Sequence, residues 1–204
     1  MFTRRSVISS TAAATIGAVI PSLWVPNGSA SSDMEIMLHA APGQSKINSG
    51  YAKPATLWRF NGSVPGPEIR IRQGARLRVT VENGLAEDTT VHWHGVRTPN
   101  AMDGVPYLTQ QPISPGNQFV YDFNAIDAGT YWYHPHQRSF EQVGRGLYGP
   151  LIIEEANPIQ VDRDVTWMLD DWRLEETGEI ENGFGNSHDM SHSGRIGNFV
   201  TING

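Results

Sequence analysis

Cysteine is absent from all 204 residues. That removes disulfides, thiolate nucleophiles, zinc ribbons, iron–sulfur clusters and every copper site that depends on a thiolate ligand. Charge is sparse as well: Asp, Glu, Lys and Arg make up 18% of the chain, and the formal net charge is −6. A chain of that sign has no bare electrostatic grip on nucleic acid or an anionic bilayer, so no nucleic-acid partner is expected. No sustained 3.6-residue hydrophobic period is present, which argues against a helical protein. What is abundant is Gly, 21 residues, and Pro, 13 residues, distributed among short β-prone runs.

No acidic residue precedes Asp33. Arg4-Arg5 is followed by a mildly apolar stretch from Val7 to Val25, then by the small residues Gly28-Ser29-Ala30. This is the three-part layout of an export signal over residues 1–30, of the twin-arginine type. The apolar stretch is diluted by Ser and Thr and broken by Pro21, so it reads as a cleaved signal and not a membrane span. A periplasmic or secreted location follows as an expectation, with no membrane span in the mature chain. Twin-arginine export carries folded proteins, which suits one that takes up a cofactor early.

The remainder reads as strands. Ile69 and Ile71 alternate with Arg70 and Arg72; Leu77, Val79 and Val81 alternate with Arg78 and Thr80; Phe119, Tyr121 and Phe123 follow the same period of two. Leu151-Ile152-Ile153 reads as a strand buried on both faces. Turn signals at Asn61-Gly62, Pro65-Gly66-Pro67, Asn83-Gly84 and Pro115-Gly116 are spaced as in a sandwich with Greek-key connections. The fold class expected is all-β, an antiparallel Greek-key sandwich or barrel over residues 36–156. Glu154 to Pro158 reads as a linker. Val165 to Leu169 is expected to open a new strand, and Glu175 to Gly197 to be a polar loop. Residues 157–204 are then the linker and the beginning of a truncated second domain, too short to close a core of its own.

Four of the seven His fall into His92-Trp93-His94 and His134-Pro135-His136. Residues i and i+2 of a strand share a face, about 7 Å apart along the backbone. Each pair therefore presents two imidazoles side by side, and Pro135 ends the hydrogen-bond ladder at the second pair. Neighbouring strands would bring all four together as a metal site. Imidazole suits Zn, Cu, Fe and Ni alike, and the shortage of nearby carboxylates argues against Mg, Ca or Mn. Asp103 lies between the pairs and is equally a turn residue, since Asp103-Gly104 is a common turn dipeptide. A third run, His188-x-Met190-x-His192, has the soft donors Cu(I) prefers, but its Gly- and Ser-rich setting reads as a solvated loop.

Taken in order, His92-Trp93-His94-Gly95, Met102-Asp103-Gly104-Val105-Pro106, Thr109-Gln110-Gln111-Pro112-Ile113 and Gly129 to His136 resemble the first cupredoxin (plastocyanin-like) domain of multicopper oxidases: laccases, ascorbate oxidase and bacterial copper-efflux oxidases. Gly146 to Leu151 matches downstream, and Leu169-Asp170-Asp171-Trp172 with Thr201-Ile202-Asn203-Gly204 looks like the start of the second domain. The resemblance implies copper as cofactor, held in a trinuclear cluster with half its ligands here. His92 would bind the type 2 copper, and His94, His134 and His136 the type 3 pair, with His94 and His134 on one ion. Asp103 would be a proton relay to the cluster.

The resemblance implies an oxidase that couples one-electron oxidation of phenols or metal ions such as Cu(I) to reduction of dioxygen to water. Its partners would be dioxygen, a small phenolic or metal-ion reductant, and the remaining cupredoxin domains. The departure from the family is the absent thiolate of the type 1 site. This chain alone is therefore expected to be inactive, either as a fragment or as half of an assembly. The alternative is a non-catalytic copper-binding module serving copper buffering or resistance.

Overall fold

The computed structural model describes residues 33–47, 50–51, 53–192 and 194–204. The export signal expected over residues 1–30 lies outside them. The strands in chain order are β1 (Met34–Ser45), β2 (Ala55–Phe60), β3 (Ile69–Arg72), β4 (Arg76–Asn83), β5 (His92–His94), β6 (Gln118–Asn124), β7 (Gly129–His134), β8 (Gly149–Glu154), β9 (Leu169–Trp172) and β10 (Phe199–Ile202). Two short helices, α1 (Ser139–Gln142) and α2 (Ser187–Ser191), and a 3-10 turn at Asn100–Met102 interrupt them.

Strands β2-β1-β4-β6 form one four-stranded sheet and β3-β8-β7-β5 a second. The alternation read from the sequence is what packs them. Leu77, Val79 and Val81 of β4 and Ile69 and Ile71 of β3 are fully buried between the sheets, and the intervening Arg and Thr face outward. Leu151, Ile152 and Ile153 of β8 are all buried. Each such aliphatic side chain contributes about 1.5–3 kcal/mol by leaving water. Trp93, Tyr121 and Tyr133 fill the rest, with Trp93 edge-on to Tyr121 at 5.5 Å.

The sheets are mixed and not purely antiparallel. β1 runs parallel to β4, and β3 parallel to β8. Periodicity reports which face a residue takes and carries no information on the direction of the neighbouring strand.

Beyond the sandwich, β9 and β10 pair antiparallel as a two-stranded sheet. The expected strand from Val165 is shorter and later: it begins at Leu169, and Val165 and Trp167 are exposed. The expected loop from Glu175 holds α2. Trp172, Leu174 and Ile180 form a small second core by borrowing Ala55 and Leu57 from β2. Two polar contacts fix the docking. The Glu179 carboxylate accepts the Thr56 backbone N–H at 2.9 Å, and the Arg145 guanidinium lies between the Trp58 and Phe184 rings, 5.1 and 4.8 Å from their centroids.

Leu77→Ala is expected to destabilise the chain by about 2–5 kcal/mol. Arg72→Ala, on the outward set of β3, should change stability by no more than about 0.5 kcal/mol. Urea unfolding of both variants measures the contrast; equal effects would contradict the inward and outward assignment.

Candidate metal centre

β5 and β7 pair antiparallel in the register His92↔His134, Trp93↔Tyr133 and His94↔Trp132. Alternation then sends Trp93 and Tyr133 into the core and the His side chains to the opposite face. β7 stops at His134, immediately before Pro135, and the chain turns so that His136 lies against the same group. Ring centroids are 5.5 Å apart for His92 and His134, 5.4 Å for His94 and His134, and 4.4 Å for His92 and His136. Ligand atoms of His92, His94 and His134 all lie within 4.8 Å of one another. His136 joins the cluster by its ring contact with His92 and stands on its outer side, exposed.

Backbone carbonyls settle two tautomers. His92 Nδ1 is 2.8 Å from the Asp103 carbonyl oxygen and His134 Nδ1 is 2.9 Å from that of Pro135. A carbonyl only accepts, so both Nδ1 atoms carry the proton and both Nε2 lone pairs are bare. His134 Nε2 faces His94 Nδ1 at 3.2 Å. Two nitrogens bonded at about 2.0 Å to one ion stand about this far apart, so the donor set fits a shared metal. Burial pushes the His134 imidazole down to about 4, and the neighbouring imidazoles act in the same direction. His136 is lowered too, chiefly by burial. Neutral imidazole is the form that binds metal.

Other side chains position these rings and the backbone around them. The Trp132 ring stacks on His134 at 4.0 Å and lies 5.0 Å from His94, so one indole flanks two of the four rings from opposite strands. Thr90 Oγ1 accepts the His136 backbone N–H at 3.1 Å. The buried Gln142 of α1 accepts from the Thr89 hydroxyl at 2.7 Å and donates to the Asp88 carbonyl at 2.8 Å, tying the segment after His136 to the approach to β5. These partners are 46 to 54 residues apart in the chain, beyond the reach of motif spacing.

Asp103 is brought to the cluster in two ways. Its carbonyl holds His92, and its carboxylate Oδ1 lies 3.3 Å from the same Nδ1, with a third of the side chain exposed. Gly104 makes the approach possible. It has φ +77°, and a Cβ there would stand 1.9 Å from the Val91 carbonyl oxygen. The Asp-Gly turn thus also sets the position of the Asp103 carbonyl and carboxylate against His92.

A sequence model of the multicopper oxidase family matches residues 43–158. The chain is 34% identical over 186 residues to a copper resistance protein A homolog of Pseudomonas syringae pv. tomato, covering 89% of this chain and 30% of that protein. It is 46% identical over 132 residues to the dihydrogeodin oxidase of Aspergillus terreus, covering 62% of this chain and 21% of that one. Among solved structures, a multi-copper oxidase from Pseudomonas thermotolerans superimposes with a TM-score of 0.79 at 41% identity, over 86% of this chain and 42% of that one. The chain thus spans about a third or less of the curated relatives it matches.

Gly104→Ala combines a disfavoured φ with a backbone clash and is expected to cost at least about 2 kcal/mol. It should also weaken copper binding by moving Asp103 off His92. Thermal unfolding together with copper titration checks both effects; a variant with wild-type values in each would remove Gly104 from the site.

Proposed function

The chain belongs to the multicopper oxidase family, and on that premise we propose that it is the N-terminal part of an exported oxidase contributing half of a trinuclear copper site. Residues 36–156 are the first cupredoxin domain and residues 157–204 the linker and opening of the second. His92 would hold the type 2 copper, His94 and His134 one type 3 copper, and His136 the other. Copper held there would pass electrons taken from the reductant to dioxygen, giving water. The observation that carries this reading is the convergence of four imidazoles at one sheet end, two of them with bare Nε2 atoms fixed by carbonyls.

The chain's own residues have separable tasks. Pro135 and the Asp103 carbonyl hold two rings in the metal-binding tautomer. Trp132 limits rotation of His94 and His134. The partly exposed Asp103 carboxylate stands between His92 and solvent, where it can pass protons through water. Electron entry, which in this family uses a thiolate-bound copper, falls to the remaining domains, and the reductant is a phenol or a metal ion such as Cu(I). The periplasm or the cell exterior is the proposed location. Among the described residues no helix is long and apolar enough to cross a membrane.

The test uses the full-length protein. His92→Ala and His136→Ala are each expected to abolish oxygen uptake and lower the copper count, while the blue thiolate–copper band stays and is still bleached by substrate. Asp103→Asn keeps the backbone carbonyl, so copper content should hold while oxygen uptake falls by roughly 10²-fold or more, the scale of a lost proton-transfer group. Normal oxygen uptake in both His variants would refute the cluster assignment. Copper binding without oxygen uptake in the unmodified full-length protein would favour the buffering module instead.

A further inference from the structure

The run His188-x-Met190-x-His192 takes no part in the half-site. It lies on the segment packed outside β2, and its conformation differs from the loop read in the sequence. Ser187–Ser191 is one helical turn, α2. The turn is short but pinned from behind: Asn186 caps it by accepting the Asp189 N–H at 2.9 Å, and the Asp189 carboxylate is held by Arg173 at 3.0 and 3.1 Å and by Asn186 Nδ2 at 2.7 Å.

Helical periodicity decides which donors meet. Residues four apart share a face, and residues two apart point to nearly opposite sides. His188 lies in α2 and His192 is its non-helical C-cap one turn on, and the two rings stack, with centroids 4.5 Å apart and planes 26° from parallel. Met190 is 77% exposed and stands on the other side. The Asp189 carboxylate is already committed to Arg173. The donor set is therefore two imidazoles completed by water.

One tautomer is fixed here as well. His192 Nδ1 lies 3.1 Å from the His188 carbonyl oxygen and 2.9 Å from Ser191 Oγ, whose hydroxyl itself donates to the same carbonyl at 3.3 Å. Nδ1 therefore carries the proton, and the Nε2 lone pair of His192 is bare on an exposed side chain. Both His188 and His192 are exposed, so a metal ion has open access.

We propose that His188 and His192 form a second, exchangeable site for divalent copper, independent of the four-histidine half-site. Two imidazoles without a free carboxylate select borderline divalent ions over Mg, Ca or Mn, and among those the affinity order places Cu(II) highest. With the thioether on the opposite side, the site favours Cu(II) over Cu(I). Placement on α2 and its C-cap gives a two-point grip, while exposure keeps the ion free to leave. The inference rests on α2 and its C-cap and stands whether or not the half-site belongs to a working oxidase.

The experiment takes the full chain carrying His92→Ala, His94→Ala, His134→Ala and His136→Ala, so that the four-histidine cluster no longer competes, and titrates it with CuCl2. One Cu(II) should bind, with an axial paramagnetic resonance spectrum showing nitrogen ligands. Adding His188→Ala or His192→Ala should weaken binding at least about tenfold, the lower end of what even a supporting contact around a metal is worth. Met190→Leu should leave affinity unchanged. Undiminished binding after either His replacement, or a comparable loss with Met190→Leu, overturns the proposal. The unmodified chain provides a second measurement. Once the four-histidine cluster is filled, further Cu(II) should broaden the imidazole proton resonances of His188 and His192 together, and sharp resonances for either at that point would also overturn it.

Discussion

The ladder between β5 and β7 is the constraint on which the site depends. Its register sets His92 opposite His134 and Trp93 opposite Tyr133. Because side chains alternate, a slip of one residue would send the imidazoles into the core and the aromatic rings into water. Trp93 and Tyr133 are fully buried against Phe123 and Phe60. Slipping would therefore expose two large rings and bury two polar ones without partners. Burial of the aromatics on one face is in this sense what holds the histidines on the other.

Around that ladder, backbone groups do most of the positioning. Carbonyls of Asp103 and Pro135 orient two rings, and the Thr90 side chain anchors the amide of His136. Backbone carbonyls cannot be replaced by substitution, only displaced. That explains the reliance on Gly104, where a missing side chain lets the loop after the 3-10 turn approach the Val91 backbone just before β5. Pro135 serves similarly: it ends the ladder, and its own carbonyl then turns back to His134.

Much of this was legible in the sequence, because faces and period are local properties. The inward sets of β3, β4, β6 and β8, the strand ending at Pro135, and the paired histidines all follow from residue order. Strand direction does not, so the parallel pairings of β1 with β4 and β3 with β8 were invisible. The helical turn at Ser187–Ser191 was missed because Gly, Asn and Ser dominate its surroundings; the cap at Asn186 and the ion pair of Asp189 with Arg173 override weak propensity. The Asp103-Gly104 turn is legible as a turn, but the approach of Gly104 to Val91, which sets the Asp103 carbonyl on His92, depends on contacts between distant residues. Trp132 lies two residues before His134 and so shares its face; its second contact, with His94, follows only from the β5–β7 register.

The small second core, with Ala55 and Leu57 lent by β2, makes the residue order a poor guide to where this protein comes apart. The stretch from Glu154 to Pro158 looks like a seam, yet the apolar contacts run across it. A chain cut there would leave Leu57 and its neighbours facing water, and the sandwich would carry a sticky flank beside an edge strand. The two regions should therefore melt in one transition, and a soluble piece of this protein has to keep the segment through β10 even though every histidine of the four-ring cluster precedes it.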